Sequence, residues 1–138
     1  MDWCEYCISQ GDHFLPILLD GDRGHVGPLN IPFRTPCLNC LRQRQNAHLT
    51  DSDLWRHYEK FSYSGQDIAA VHPLMVSILA SSAAFEIVKY LKGIEYRLLS
   101  HILSIDYDHS STAYEKVLKL PRCSVCSPLN RHNKISAT

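Results

Sequence analysis

Apolar positions along this 138-residue chain fall into short strand-like runs and one long helical run. His13 to Leu19 is nearly continuous in large apolar side chains and predicts a strand, with Pro16 assigning it to a sheet edge. Asp20-Gly21-Asp22 is a turn signal, and His25-Val26 would return as the second strand of a hairpin. Prolines 28, 32 and 36 keep the next stretch extended, and Cys40 to Ala47 predicts a short helix. Asp51 or Ser52 would cap a helix over Leu54 to Phe61, followed by a Ser/Gly-rich polar loop at 62–67.

The clearest helix opens at His72-Pro73, where the missing proline N–H costs nothing. It runs to about Lys92, and Gly93 ends it. Its surface is almost entirely apolar or small, which predicts burial on most sides. Ala80 to Ala84 would let another backbone approach closely. Leu98 to Tyr107 and Thr112 to Leu120 predict two further strands, and residues 3–10 a helical turn or a loop. The polar residues after Ser127 read as a frayed end, giving a domain over 1–127 and a tail over 128–138.

Composition narrows the class. Apolar content is 45%, charged content 20% and net charge zero, which is globular and gives no footprint for nucleic acid or an acidic membrane. The first residues lack the charged start and apolar run of a secretory signal. Leu74 to Leu91 approaches the length of a membrane span but carries Glu86 and Lys89. Each mid-bilayer charge costs roughly 2.5–3.5 kcal/mol, so a buried helix of a soluble, cytoplasmic protein is the expectation.

The six cysteines all fall in Cys-x-x-Cys pairs: Cys4/Cys7, Cys37/Cys40 and Cys123/Cys126. In a chain without secretory features this favours metal or free thiols over disulfides. Two such turns brought together supply the four thiolates of a tetrahedral zinc site, with Cys37, Cys40, Cys123 and Cys126 as ligands. Such a site has no open position and is structural. The two pairs are separated by 82 residues, far beyond a zinc ribbon, so the ion would join distant parts of the fold. Cys4/Cys7 is open to three readings: a share in a metal site, a redox pair, or packed thiols, the last being preferred.

No catalytic or cofactor-binding residue stands out. The eight histidines lack metal spacing, and His72 reads as a capping or packing residue. Glu86 and Lys89 are spaced to pair on a polar edge of the long helix. Asp106 and Asp108 suit a solvated turn. Neither a Walker sequence nor Gly-x-Gly-x-x-Gly is present.

Several segments together resemble a family. Gly27-Pro28-Leu29-Asn30-Ile31-Pro32 and Thr35-Pro36-Cys37-Leu38-Asn39-Cys40 are followed by the small-residue-rich helix, a strand, and Pro121-Arg122-Cys123-Ser124-Val125-Cys126. This order is similar to ThiF/MoeB-like proteins of the ubiquitin-activating-enzyme superfamily, in the branch of thiazole/oxazole-modified microcin (bacteriocin) biosynthesis. The resemblance covers roughly residues 13–127. It implies an α/β, partial ThiF-like fold, with a mixed sheet, one long buried helix and a four-cysteine zinc site.

The nucleotide-binding half of full family members has no counterpart here, so the chain corresponds to their C-terminal half: a fragment, split subunit or truncated form. The resemblance implies a non-catalytic, zinc-stabilised accessory piece of a cyclodehydratase complex. Its partners would be a precursor peptide or a YcaO-type enzyme that closes Cys, Ser or Thr onto the preceding carbonyl as azolines. A homodimer or hetero-oligomer is expected, because a missing half would expose apolar surface. ATP would enter only if a missing half or a partner supplies its site. The alternatives are an ATP-dependent adenylating enzyme acting on a ubiquitin-like or sulfur-carrier protein, and a zinc-dependent protein-binding module.

Overall fold

A computed structural model describes residues 3–47 and 73–127. In chain order these form α1 (Trp3–Gln10), β1 (Ile17–Asp20), β2 (Arg23–Val26), α2 (Leu38–Ala47), α3 (Pro73–Leu91), a 3-10 turn (Arg97–Leu99), β3 (His101–Asp106) and β4 (Ser111–Lys116). The expected helix over 54–61, the loop over 62–67, His72 and the tail lie outside the described residues.

The four strands make one sheet in the order β1-β2-β3-β4, and every pair is antiparallel. This corrects the expected mixed sheet. β1 and β2 are joined by two residues, with Gly21 at φ 58°, and β3 and β4 by four. Links this short connect only antiparallel strands, whereas a parallel pair needs a crossover of a dozen residues or more. The predicted strand from His13 is also shorter. Pro16 has no N–H, so Phe14 forms an isolated bridge with Asn30 and the ladder begins only at Ile17.

Side chains of β3 alternate between two cores. Leu103 and Ile105 face α3, together with Val26, Leu79, Ala83 and Leu98. Ile102 faces the opposite way, with Cys4, Ile8, Leu38, Leu41 and Val117 around the paired cysteines. The sheet is therefore a partition, with α3 on one side and the α1/α2 lobe on the other.

α3 ends as its sequence predicts. Gly93 takes φ 65°, its N–H donates to the Tyr90 carbonyl, and the Ile94 N–H donates to that of Lys89, a Schellman cap. Its environment differs from the prediction of burial on most sides. Only Leu79, Ala83 and Glu86 are buried, a single i, i+4, i+7 line against the sheet. Leu74, Val76, Ile78, Phe85, Ile87, Val88 and Leu91 are exposed, Leu91 by 76%. The helix is apolar all round, but the sheet covers only one stripe of it. By length and composition alone it could cross a membrane.

Gly24 sets how closely α3 approaches. A Cβ there would stand 2.8 Å from Leu79 Cδ1 and 2.9 Å from the Tyr107 hydroxyl. That hydroxyl in turn donates to the Met75 carbonyl at 2.9 Å. Gly24→Ala should therefore destabilise the protein by about 1–3 kcal/mol through overpacking. Thermal melting checks this: the variant is expected to melt several degrees lower, whereas an unchanged Tm would mean that α3 does not dock at this depth.

Candidate metal centre

The loop from Leu29 to Pro36 aims Cys37 inward through a few specific bonds. Thr35 Oγ1 donates to the Leu29 carbonyl and accepts from the Ile31 N–H, both at 2.7 Å. Buried Asn30 reaches the Pro36 carbonyl through Nδ2 at 3.5 Å. Phe33, at φ 61°, occupies a left-handed position in the turn. α2 then begins at Leu38, slightly earlier than predicted, and the Leu41 N–H donates to the Cys37 carbonyl at 3.2 Å. The second cysteine pair follows β4. The Val117 N–H, bonded to the Ser100 carbonyl at 2.7 Å, extends the ladder, and the chain turns so that the Ser127 N–H closes on the Cys123 carbonyl at 3.1 Å.

These turns bring together the four cysteines expected from their spacing. Cys37, Cys40, Cys123 and Cys126 are all buried, with every sulfur within 4.8 Å of every other. Cys37 lies 3.8 Å from Cys40 and 3.7 Å from Cys123, and Cys40 lies 3.4 Å from Cys126. Four ligands placed about 2.3 Å from a central ion form a tetrahedron with edges near 3.8 Å. The cluster therefore has the donor set and dimensions to hold one metal ion.

Its surroundings act on the sulfurs in opposite directions. Asn39 Nδ2 donates to Cys123 Sγ at 3.4 Å, and the Leu120 N–H donates to Cys40 Sγ at 3.5 Å. The Cys37 thiol is held far below the usual range, first by a hydrogen bond from Cys126, then by those from Cys4 and Cys40, against the opposing effect of burial. Cys126 is pushed far up, chiefly by its bond to Cys37, then by its bond to Cys40 and by burial. Four crowded sulfurs cannot all carry charge without a cation, and a bound cation removes that conflict.

Cys4 is the nearest outsider. It is 1% exposed, packs in the same core and hydrogen-bonds Cys37, while Cys7 is half-buried one helical turn away. None of the six cysteines is joined in a disulfide. The packed-thiol reading fits Cys4, which lies outside the four-sulfur group.

A second polar cluster lies between α3 and β4, where Glu86 and Lys89 pair as their spacing predicts. Glu86 is 2% exposed and faces the sheet, not a polar edge of α3. Its Oε1 receives Lys89 Nζ and, at 2.7 Å, the Tyr114 hydroxyl of β4, while Oε2 has no partner among the described residues. Beside it, burial first and then the Glu86 charge push the Tyr96 hydroxyl up. Tyr114 joins the group because it pairs with Leu103 and so shares the α3 face, a register that residue spacing along the chain does not give.

With this geometry in place, solved structures show which fold it is. No family model matches the sequence, and none of the curated proteins does. The fold is one contained in ThiF/MoeB-like microcin biosynthesis enzymes. E. coli MccB with ATP superposes on 90% of this chain at 22% identity and a TM-score of 0.66. The Microcin C7 biosynthetic enzyme MccB in complex with N-formylated MccA does so on 90%, at 24% identity and 0.69. A heterocyclase in complex with substrate and cofactor covers 92%, at 18% identity and 0.71. The chain spans about a third of MccB (34–36%) and 19% of the heterocyclase.

The four-sulfur cluster generates a direct expectation. Native mass spectrometry of protein purified without added metal should show one divalent ion per chain. Cys123→Ala should lose the ion and the cooperative melting transition, because metal binding and folding are coupled. Cys4→Ala should keep the ion. Stoichiometric metal in Cys123→Ala would show that the cluster is not its site.

Proposed function

We propose that the chain is the C-terminal half of a ThiF-like domain, held together by a structural zinc ion on Cys37, Cys40, Cys123 and Cys126. In this reading it serves in the cytoplasm as a non-catalytic accessory piece of a peptide-modifying, azoline-forming bacteriocin complex. It engages a precursor peptide or a YcaO-type partner. The observation that carries the reading is the shared fold with MccB, solved with MccA, and with a heterocyclase, solved with its substrate.

The zinc would act only as a tie. Four thiolates complete its coordination and leave no place for water or substrate, so the ion supplies stability and charge neutralisation. The exposed apolar face of α3 supports association with a second copy or a partner chain, since patches of this kind mark interfaces more often than solvent-facing surface. It also favours protein cover over lipid. α3 packs its buried stripe on an antiparallel sheet and keeps Glu86 and Lys89 paired there, as a helix of a water-soluble domain does.

MccB has also been solved with ATP, which keeps the adenylating reading in view. The two readings separate in one titration series. Fluorescein-labelled N-formylated MccA, added to the purified protein, should give a saturable anisotropy change, while Mg-ATP should give no calorimetric heat of binding. Saturable ATP binding without peptide binding would replace the accessory reading with adenylation by this chain. Sedimentation should show an oligomer, and a compact monomer at high concentration would remove the association claim.

A further inference from the structure

We infer that the outer edge of β4 is the peptide-docking surface, taking an extended, acidic peptide as a fifth strand. The inference rests on the peptide-binding reading above and specifies where and how the peptide is held.

β4 is the last strand of the sheet and pairs with β3 alone among the described residues. Ser100 accepts from the Val117 N–H, so positions 111, 113, 115 and 117 turn their backbone groups inward to β3. Thr112, Tyr114 and Lys116 therefore direct N–H and C=O groups outward. All six residues of β4 are exposed, and none is proline. The opposite edge is poorer: β1 has four residues, is headed by Pro16 and turns only Ile17 and Leu19 outward.

Unpaired strand groups are best satisfied by another strand, and the flanking side chains select which one. On the α3 side, the Tyr114 ring lies between two cations, with Arg97 Cζ 5.6 Å and Lys89 Nζ 6.0 Å from its centroid. Lys116 follows on the same face, two residues along. Glu86 is buried and already committed to Lys89 and Tyr114, and exposed Glu95 lies 3.8 Å from Arg97 Nε. Lys89 is thus matched by Glu86, while Arg97 is held only by a long, exposed pair to Glu95. Lys116 adds one further positive charge, so Arg97 and Lys116 suit carboxylates at alternate positions of a docked strand. On the opposite face a shallow, half-open polar depression of about 210 Å³, lined by Arg23, Ser104, Asp106, Ser111, Ala113 and Glu115, borders the same edge. It gives the intervening side chains room.

The test uses a fluorescein-labelled octapeptide of alternating glutamate and threonine, and the same peptide N-methylated on two adjacent central residues. Adjacent methyl groups block both strand edges while leaving the charge intact. The unmodified peptide should bind the full chain saturably. N-methylation, or Thr112→Pro, should weaken binding about tenfold or more, equivalent to one or two net hydrogen bonds. The Thr112 N–H points outward, so proline there leaves the β3–β4 ladder intact. Should that variant fail to fold, the N-methylated peptide decides alone. Arg97→Glu with Lys116→Glu should also weaken binding.

Equal affinity for the methylated peptide would overturn the inference. So would N-formylated MccA binding that Thr112→Pro leaves unchanged, in which case the peptide reading survives at another surface. No binding of either peptide would end both. A dimer abolished by Thr112→Pro would show that the edge serves a second copy instead.

Discussion

Four sulfur atoms drawn from two turns far apart in the chain form the constraint on which the α1/α2 lobe depends. Cys37 and Cys123 are 86 residues apart in sequence and 3.7 Å apart in space. Around them the core is thin. Ile8, Leu38, Leu41, Ile102 and Val117 are its buried aliphatic side chains among the described residues. So few side chains bury little apolar area, at about 25 cal/mol per Å², against the entropy of ordering two loops and two short helices. A metal cross-link at the sulfurs would supply what that core lacks. The hydrogen bonds from Asn39 and Leu120 orient the sulfurs and stabilise their charge, as outer-shell groups do at metal sites.

The consequences reach the sheet. Arg44 of α2 donates to the Leu118 carbonyl at 2.9 Å, and Lys119 donates to the Phe33 carbonyl. The chain leaving β4 is thus anchored to the segment around the first cysteine pair. Any tie at the cysteines is felt at the end of β4 and in β3 through its ladder. On the far face, α3 is held by a different logic: a narrow apolar stripe, the close approach allowed by Gly24, and the Glu86–Lys89–Tyr114 group. Glu86 is costly to bury, and its two donors offset only part of that cost. A position of this kind fixes how α3 sits on the sheet more than it adds stability.

Local signals carried much of this architecture. The hairpin at Gly21, the proline start and glycine end of α3, and the two late strands all follow from short-range rules, and each lies within a few residues of its predicted place. The convergence of the four sulfurs was legible because Cys-x-x-Cys spacing is a chemical requirement that survives without knowledge of the fold. What failed was non-local. The composition of α3 shows that it is apolar on every face, but cannot show that the sheet covers only one. The sequence places Glu86 and Lys89 together, but the third member, Tyr114, comes from a strand whose register is set by β3. Sheet direction was likewise misjudged because the resemblance outweighed the short links in this chain. Those links allow only antiparallel neighbours.

The division of labour between the two faces bears on function. A surface that presents a peptide must hold its own backbone still, since every degree of freedom lost on docking subtracts from affinity. An edge strand alone cannot do this, because a strand with one neighbour frays. β4 is secured from three directions: the ladder to β3, the chain anchored at the cysteine lobe, and Tyr114 bonded to buried Glu86. None of these uses the outward groups of Thr112, Tyr114 and Lys116. A structural metal at the cysteines would thus have a functional consequence without touching a substrate. By stiffening the lobe that anchors β4, it would lower the entropy lost when a peptide pairs there, and so would couple metal occupancy to peptide affinity.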